Sequence, residues 1–130
     1  MKMIALLIGL FVACGVVAMA ADAGTKTKKA KLRHVVAFKF KESASKEDIK
    51  KVQDAFAALK TKIPTIQKYE HGINNSPENR NKGCTHAFIL TFNSEKDRDD
   101  YLVHPAHKEF GKLVGPLLDD VFVLDFWAKK

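Results

Sequence analysis

Two short segments of period-two alternation, each leading into a helix-start signal, constrain this chain most. Leu32 to Lys41 sets His34, Val36, Phe38 and Phe40 on one face and Val35, Ala37, Lys39 and Lys41 on the other, as a strand requires. Ser45-Lys46-Glu47-Asp48 follows, where Ser45 can cap a helix and two acids fall in its first turn. Ile49, Val52, Phe56, Leu59 and Ile63 then recur at three- and four-residue spacing, which predicts an amphipathic helix stopped by Pro64. Thr85 to Phe92 repeats the strand pattern, with His86, Phe88, Leu90 and Phe92 on one face, and Ser94-Glu95-Lys96-Asp97 repeats the helix start.

Between and after these units the pattern is weaker. Ile66 to Ile73 reads as a strand, and Asn74 to Gly83, dense in turn formers, as the longest loop. A short helix is expected through about Val103, broken by Pro105. A second helix is expected from about Ala106 to Leu118, and a closing strand from Val121 to Trp127. The order βαββααβ predicts an α+β, ferredoxin-like subunit with its helices on one face of the sheet. Val35 and Ala37 leave the other face partly apolar, and the closing strand VFVLDFW is apolar on both sides. Such a surface calls for a cover, and a second copy of the chain is the simplest one. A homodimer is expected.

The first residues bear on location. Met1-Lys2-Met3 is a short basic start, Ile4 to Met19 carries no charge, and Ala18-Met19-Ala20 offers a small-x-small cleavage site. The run is shorter than the roughly 20 apolar residues a membrane span needs. Residues 1–20 are therefore expected to be a signal peptide, and the protein to be exported to a periplasmic or extracellular space. Cys14 sits in a lipoprotein-like context, Phe11-Val12-Ala13-Cys14, but the apolar run continues past it; membrane attachment is expected only if Cys14 is lipidated. Without residues 1–20 a single cysteine, Cys84, remains, so no intrachain disulfide can form. Residues 21–31 (ADAGTKTKKAK) read as a disordered basic linker and residues 32–130 as the folded domain. The full chain has 22 basic and 15 acidic residues. The excess sits mostly in the tails, with Lys26, Lys28, Lys29 and Lys31 in one and Lys129-Lys130 in the other, and this argues against a nucleic-acid module.

Histidine and tyrosine carry the candidate chemistry. His34 and His86 each begin a strand and share parity with its large apolar residues, so both point to the helix side, as pocket lining or as hydrogen-bonded core. Tyr101, His104 and His107 cluster about the helix break at Pro105. A phenol that polarises a carbonyl and an imidazole that takes a proton from the adjacent carbon would suit this grouping. The bland alternative is that the histidines cap the helix junction and Tyr101 anchors it. His104-x-x-His107 has chelating spacing, but a third zinc ligand is not evident, so no metal and no other cofactor is expected. A Gly-rich phosphate loop, a G-x-S-x-G elbow and a CxxC pair are all absent. Cys84 reads as structural.

These residues resemble the stress-responsive A/B-barrel (Dabb) domain family. The likeness is carried by LRHVVAFKFK at residues 32–41, KIP at 62–64, GCTHAFILTF at 83–92, YLVHPAHKEFG at 101–111 and VFVLDF at 121–126. It implies a ferredoxin-like subunit whose two copies make a dimeric α/β barrel. One plant member catalyses an aldol-type cyclisation of a linear polyketide. Its catalytic pair falls on Tyr101 and His107, and its pocket positions fall on His34, Val36, Phe38, Phe56, Phe88 and Phe110; His86 and His104 complete the candidate ligand-binding set. The chain departs from that member at Phe56 and Cys84, both tyrosines there, and an exported protein would not meet coenzyme A-linked polyketides. The leading expectation is a dimer whose apolar, His/Tyr-lined pocket binds a small hydrophobic or carbonyl-bearing ligand. A cyclase- or isomerase-like enzyme using the same pair is the alternative, and a stress-related structural dimer without a ligand is the third reading.

Overall fold

The first alternating segment forms β1 (Leu32–Phe40), which buries Leu32, His34, Val36 and Phe38 beneath the helices. The computed structural model describes residues 28–129. Segment 4–19, Cys14, the Ala18-Met19-Ala20 site and residues 21–27 of the expected linker lie outside that range. Helix α1 (Lys46–Lys62) begins with a reciprocal cap: Ser45 Oγ accepts from Asp48 N at 3.0 Å and Asp48 Oδ2 accepts from Ser45 N at 3.3 Å. These bonds hold the Asp48 carboxyl below the ordinary carboxylate range. The helix buries Val52, Phe56 and Leu59.

β2 (Lys68–Ile73) and β3 (His86–Phe92) follow, and α2 (Glu95–Val103) is capped by Ser94 Oγ, which accepts from Asp97 N at 3.0 Å. His104 is the hinge. It precedes Pro105, which disfavours helical backbone at the residue before it, and its ψ of 137° ends α2 and begins α3 (Pro105–Val114). A 3₁₀ turn, Gly115–Leu117, leads into β4 (Leu118–Trp127). The sheet order is β2-β3-β1-β4 with antiparallel neighbours. Together with three helices this is the expected ferredoxin-like α+β fold, in which β3 lies between the two strands that α1 connects.

Two boundaries differ from expectation. The second strand starts at Lys68 rather than Ile66, because Ile66 N donates to the Ile63 carbonyl at 3.2 Å and both isoleucines are buried in a turn. The last helix stops at Val114 because Gly115-Pro116 follows, and β4 starts three residues early. There Asp120 pairs with Lys39 and Leu118 with Phe40, across a register shift between Lys39 and Phe40.

The core lies between sheet and helices, with Phe38, Phe56, Phe88 and Phe110 packed at its centre; the Phe56–Phe88 and Phe56–Phe110 rings are tilted against each other with centroids 4.5 and 4.6 Å apart. The opposite sheet face carries Val35, Ala37, Ala87 and Ile89, flanked by Phe122, Leu124 and Phe126 of the edge strand at 52, 52 and 46% exposure.

Candidate functional site

β1 and β4 form the floor of a cavity of about 400 Å³, and α1, α2 and α3 supply its walls. His34, Tyr101 and His107 come together there, with Val36, Phe38, Phe56 and Phe110 of the expected set beside them. Leu102, Val114, Leu118, Val121 and Val123 complete the apolar lining, so the polar groups are few and clustered at one end.

The polar cluster is anchored across the sheet. His34 and Asp125 are register partners on β1 and β4. The imidazole Nδ1 donates to Asp125 Oδ1 at 2.6 Å, which fixes the tautomer and leaves Nε2 free of that bond. Arg98 Nη1 donates to Asp125 Oδ2 at 2.9 Å, and Asp99 holds the same guanidinium at 3.0 Å. Sequence reasoning missed both Asp125 and Arg98. The available signal was that Asp125 alone interrupts the apolar run VFVLDFW, and in phase with Val121 and Val123.

Tyr101 is 1% exposed, edge-on to His34 at 5.6 Å and tilted against His107 at 4.4 Å between ring centroids. Burial raises its pKa well above the ordinary phenol value, with the Asp125 charge and Tyr69 adding to the effect, so the hydroxyl stays protonated and can donate. His107 is complementary. A carbonyl can only accept, so the 3.1 Å bond from Nδ1 to the Leu102 carbonyl puts the proton on Nδ1 and leaves the Nε2 lone pair open. Burial lowers the His107 pKa, the Leu102 carbonyl opposes that shift, and His34 adds to it. A buried donor and a neutral imidazole base thus stand side by side, the pair needed to polarise a carbonyl and move a proton on its neighbouring carbon.

Three residues of the expected ligand-binding set lie outside the lining. Phe88 is buried behind Phe56 and Phe38 and supports the wall. His104 turns back on its own helix, where Nδ1 accepts from Ala106 N at 3.0 Å; this is the capping role. His86 packs edge-on against Phe40 at 5.2 Å, and its Nδ1 bonds Thr85 Oγ1 at 2.8 Å. It borders a separate depression of about 430 Å³ beside the 74–84 loop. Burial, with the charge of His71, lowers its pKa. No group of three or more His, Cys, Asp or Glu among the described residues could hold a metal ion. Cys84 is half-buried and unpaired, and its carbonyl accepts from Asn81 Nδ2 at 2.7 Å.

Known proteins are similar to this chain in sequence and in fold. Stress-response A/B barrel domain-containing protein HS1 of Arabidopsis thaliana is 35% identical over 98 residues, 75% of this chain and 90% of that protein. Olivetolic acid cyclase of Cannabis sativa is 25% identical over 99 residues, covering 76% and 98% of the two chains. Among solved structures, hydroxynitrile lyase from Passiflora edulis superposes with a TM-score of 0.74 at 26% identity, over 78% of this chain and 96% of that one. A dimeric protein of ferredoxin-like fold from Bacteroides fragilis superposes with a TM-score of 0.62 at 26% identity, over 75% and 96%. The sequence profile of the stress responsive A/B barrel domain matches residues 32–128, β1 through β4, and the chain belongs to that family.

Proposed function

We propose that this chain is an exported homodimer whose helix-side cavity binds a small hydrophobic, carbonyl-bearing ligand. The observation that carries the ligand reading is the cavity's polarity: an aromatic and aliphatic lining with Tyr101, His34 and His107 gathered at one end. A ligand with a carbonyl head and an apolar body matches that division. Export rests on the pattern of residues 1–20, and the intact mass of the recovered protein checks it; a chain that keeps residues 1–20 removes that part. The dimer rests on the open apolar face bearing Phe122, Leu124 and Phe126 and on the dimeric relative from Bacteroides fragilis.

A catalytic reading is favoured by one detail, the His107 tautomer, whose free Nε2 stands beside the Tyr101 phenol. Two relatives are named for reactions, a cyclase and a lyase. One experiment separates the readings. Hexanophenone, an alkyl aryl ketone, is titrated calorimetrically, and exchange of its α-protons in D₂O is followed by NMR. Binding with accelerated exchange that Tyr101→Phe and His107→Ala abolish, while both variants still bind, supports the enzyme. Binding without exchange supports the binder alone. Neither binding nor exchange by the folded protein, across a series of such ketones, removes the ligand reading and leaves a structural dimer.

A further inference from the structure

Edge strand β4 gives one side of the molecule two chemistries in sequence. Its register with β1 puts Val121, Val123, Asp125 and Trp127 on its helix-side face. At the mouth of the cavity Val121, Val123 and, across from them, Leu102 are 47, 52 and 42% exposed, so the rim is apolar and open. At the far end the N-terminal arm lies along the strand, with Ala128 N donating to the Lys31 carbonyl at 2.9 Å. The depression formed there is lined by Lys28, Lys29, Lys31, Arg33 and Lys129 around Trp127, with no carboxylate in its lining. Trp127 is 39% exposed, and its indole N–H reaches Glu95 at 3.4 Å.

A solvated tail would need no tryptophan among its lysines, and a nucleic-acid surface would have no use for an aliphatic rim next to it. Lysines attract phosphate headgroups, tryptophan prefers headgroup depth, and aliphatic side chains enter the acyl boundary. We propose that this strip is a peripheral binding surface for an anionic phospholipid bilayer. No helix among the described residues is long and apolar enough to cross a membrane, so the contact is interfacial, and it does not require a lipid on Cys14. The strip follows the β4 edge of the sheet: Val121, Val123 and Trp127 are on its helix side, whereas Arg33, the register partner of Phe126, faces the other way, and the inference stands whether or not the cavity takes a ligand.

The test uses residues 21–130, which contain the whole matched domain, residues 32–128. The protein is sedimented with phosphatidylcholine vesicles that contain, or lack, about one-third phosphatidylglycerol. Trp127 is the single tryptophan, so its emission reports directly on the contact. The expected result is co-sedimentation with the anionic vesicles only, with a blue shift. Combined Lys28→Glu, Lys29→Glu and Lys31→Glu should lower partitioning about a hundredfold or more, and Trp127→Ala should lower it about tenfold. The three lysines are exposed, and circular dichroism checks that each variant is folded. Absence of binding, binding unchanged by the triple variant, or an unshifted emission overturns the proposal. Equal binding of single-stranded DNA with the same loss in the triple variant but no blue shift with vesicles would identify a general polyanion surface instead.

Discussion

At the scale of single residues, His107 links fold to chemistry through one proton. Burial lowers its pKa first, against the Leu102 carbonyl and with His34. A depressed folded pKa means that folding favours the neutral ring. That stability is complete above the unfolded value of about 6.5 and is lost as pH falls through the folded value. The unfolding midpoint should therefore drop between about pH 7 and pH 5, followed by scanning fluorimetry, and His107→Gln should flatten part of the drop. The remainder belongs in part to His86, shifted the same way by burial and His71. A midpoint that falls equally in both proteins would mean that His107 is not held neutral. If the pair is catalytic, the acid limb of the exchange rate should lie below the ordinary imidazole value. The parity of His34 was legible from sequence, and so was the clustering of Tyr101 with His107. His86 misled because it shares His34's parity and also begins a strand. On antiparallel neighbours two strand starts lie at opposite ends: His34 pairs with Leu90, while His86 pairs with Phe38. Asp125 escaped notice because its partner Arg98 lies 27 positions away in a charged helix, and only tertiary structure brings them together.

At the scale of elements, local chemistry decided most of the fold. Ser45 and Ser94 cap where their sequences say they should, and the proline at 105 divides α2 from α3. Apolar periodicity alone carries α3 on through Leu117 and Leu118, but Gly115-Pro116 ends the backbone pattern that would use it, and the helix stops at Val114. Gly111 shows how one helix serves both packing and cavity. It sits inside α3, lines the cavity, and a Cβ built there meets nothing within 4 Å. Gly111→Ala should stabilise the protein by about 1 kcal/mol in denaturant unfolding, since alanine loses less backbone freedom in a helix. Gly111→Phe should leave the fold intact, place a ring in the cavity and weaken hexanophenone binding at least about tenfold. A Gly111→Phe protein that binds as tightly as the parent would put the ligand elsewhere.

At the scale of the whole molecule, the sheet has two faces of different character, and this makes the proposed dimer testable apart from the cavity. The helix side holds the cavity. The other side is a contiguous apolar surface in which Val35, Ala37 and Ile89 are half-buried and Phe122, Leu124 and Phe126 stand open. A small monomer rarely leaves such a patch uncovered, and a two-fold pairing buries the same patch on both copies. Phe122→Asp with Leu124→Asp should convert a particle of twice the chain's mass, read by sedimentation equilibrium, into monomers. These side chains point away from the helices, so the core keeps its packing and circular dichroism should retain the parent's signal. The informative comparison is ligand binding by that monomer. Retained hexanophenone affinity would show that each subunit carries a complete cavity and that the dimer serves stability. Lost affinity in a folded monomer would show that the pairing braces β1 and β4, the floor on which His34 meets Asp125. A parent protein that sediments as a monomer would contradict the dimer outright and require some other cover for Phe122, Leu124 and Phe126.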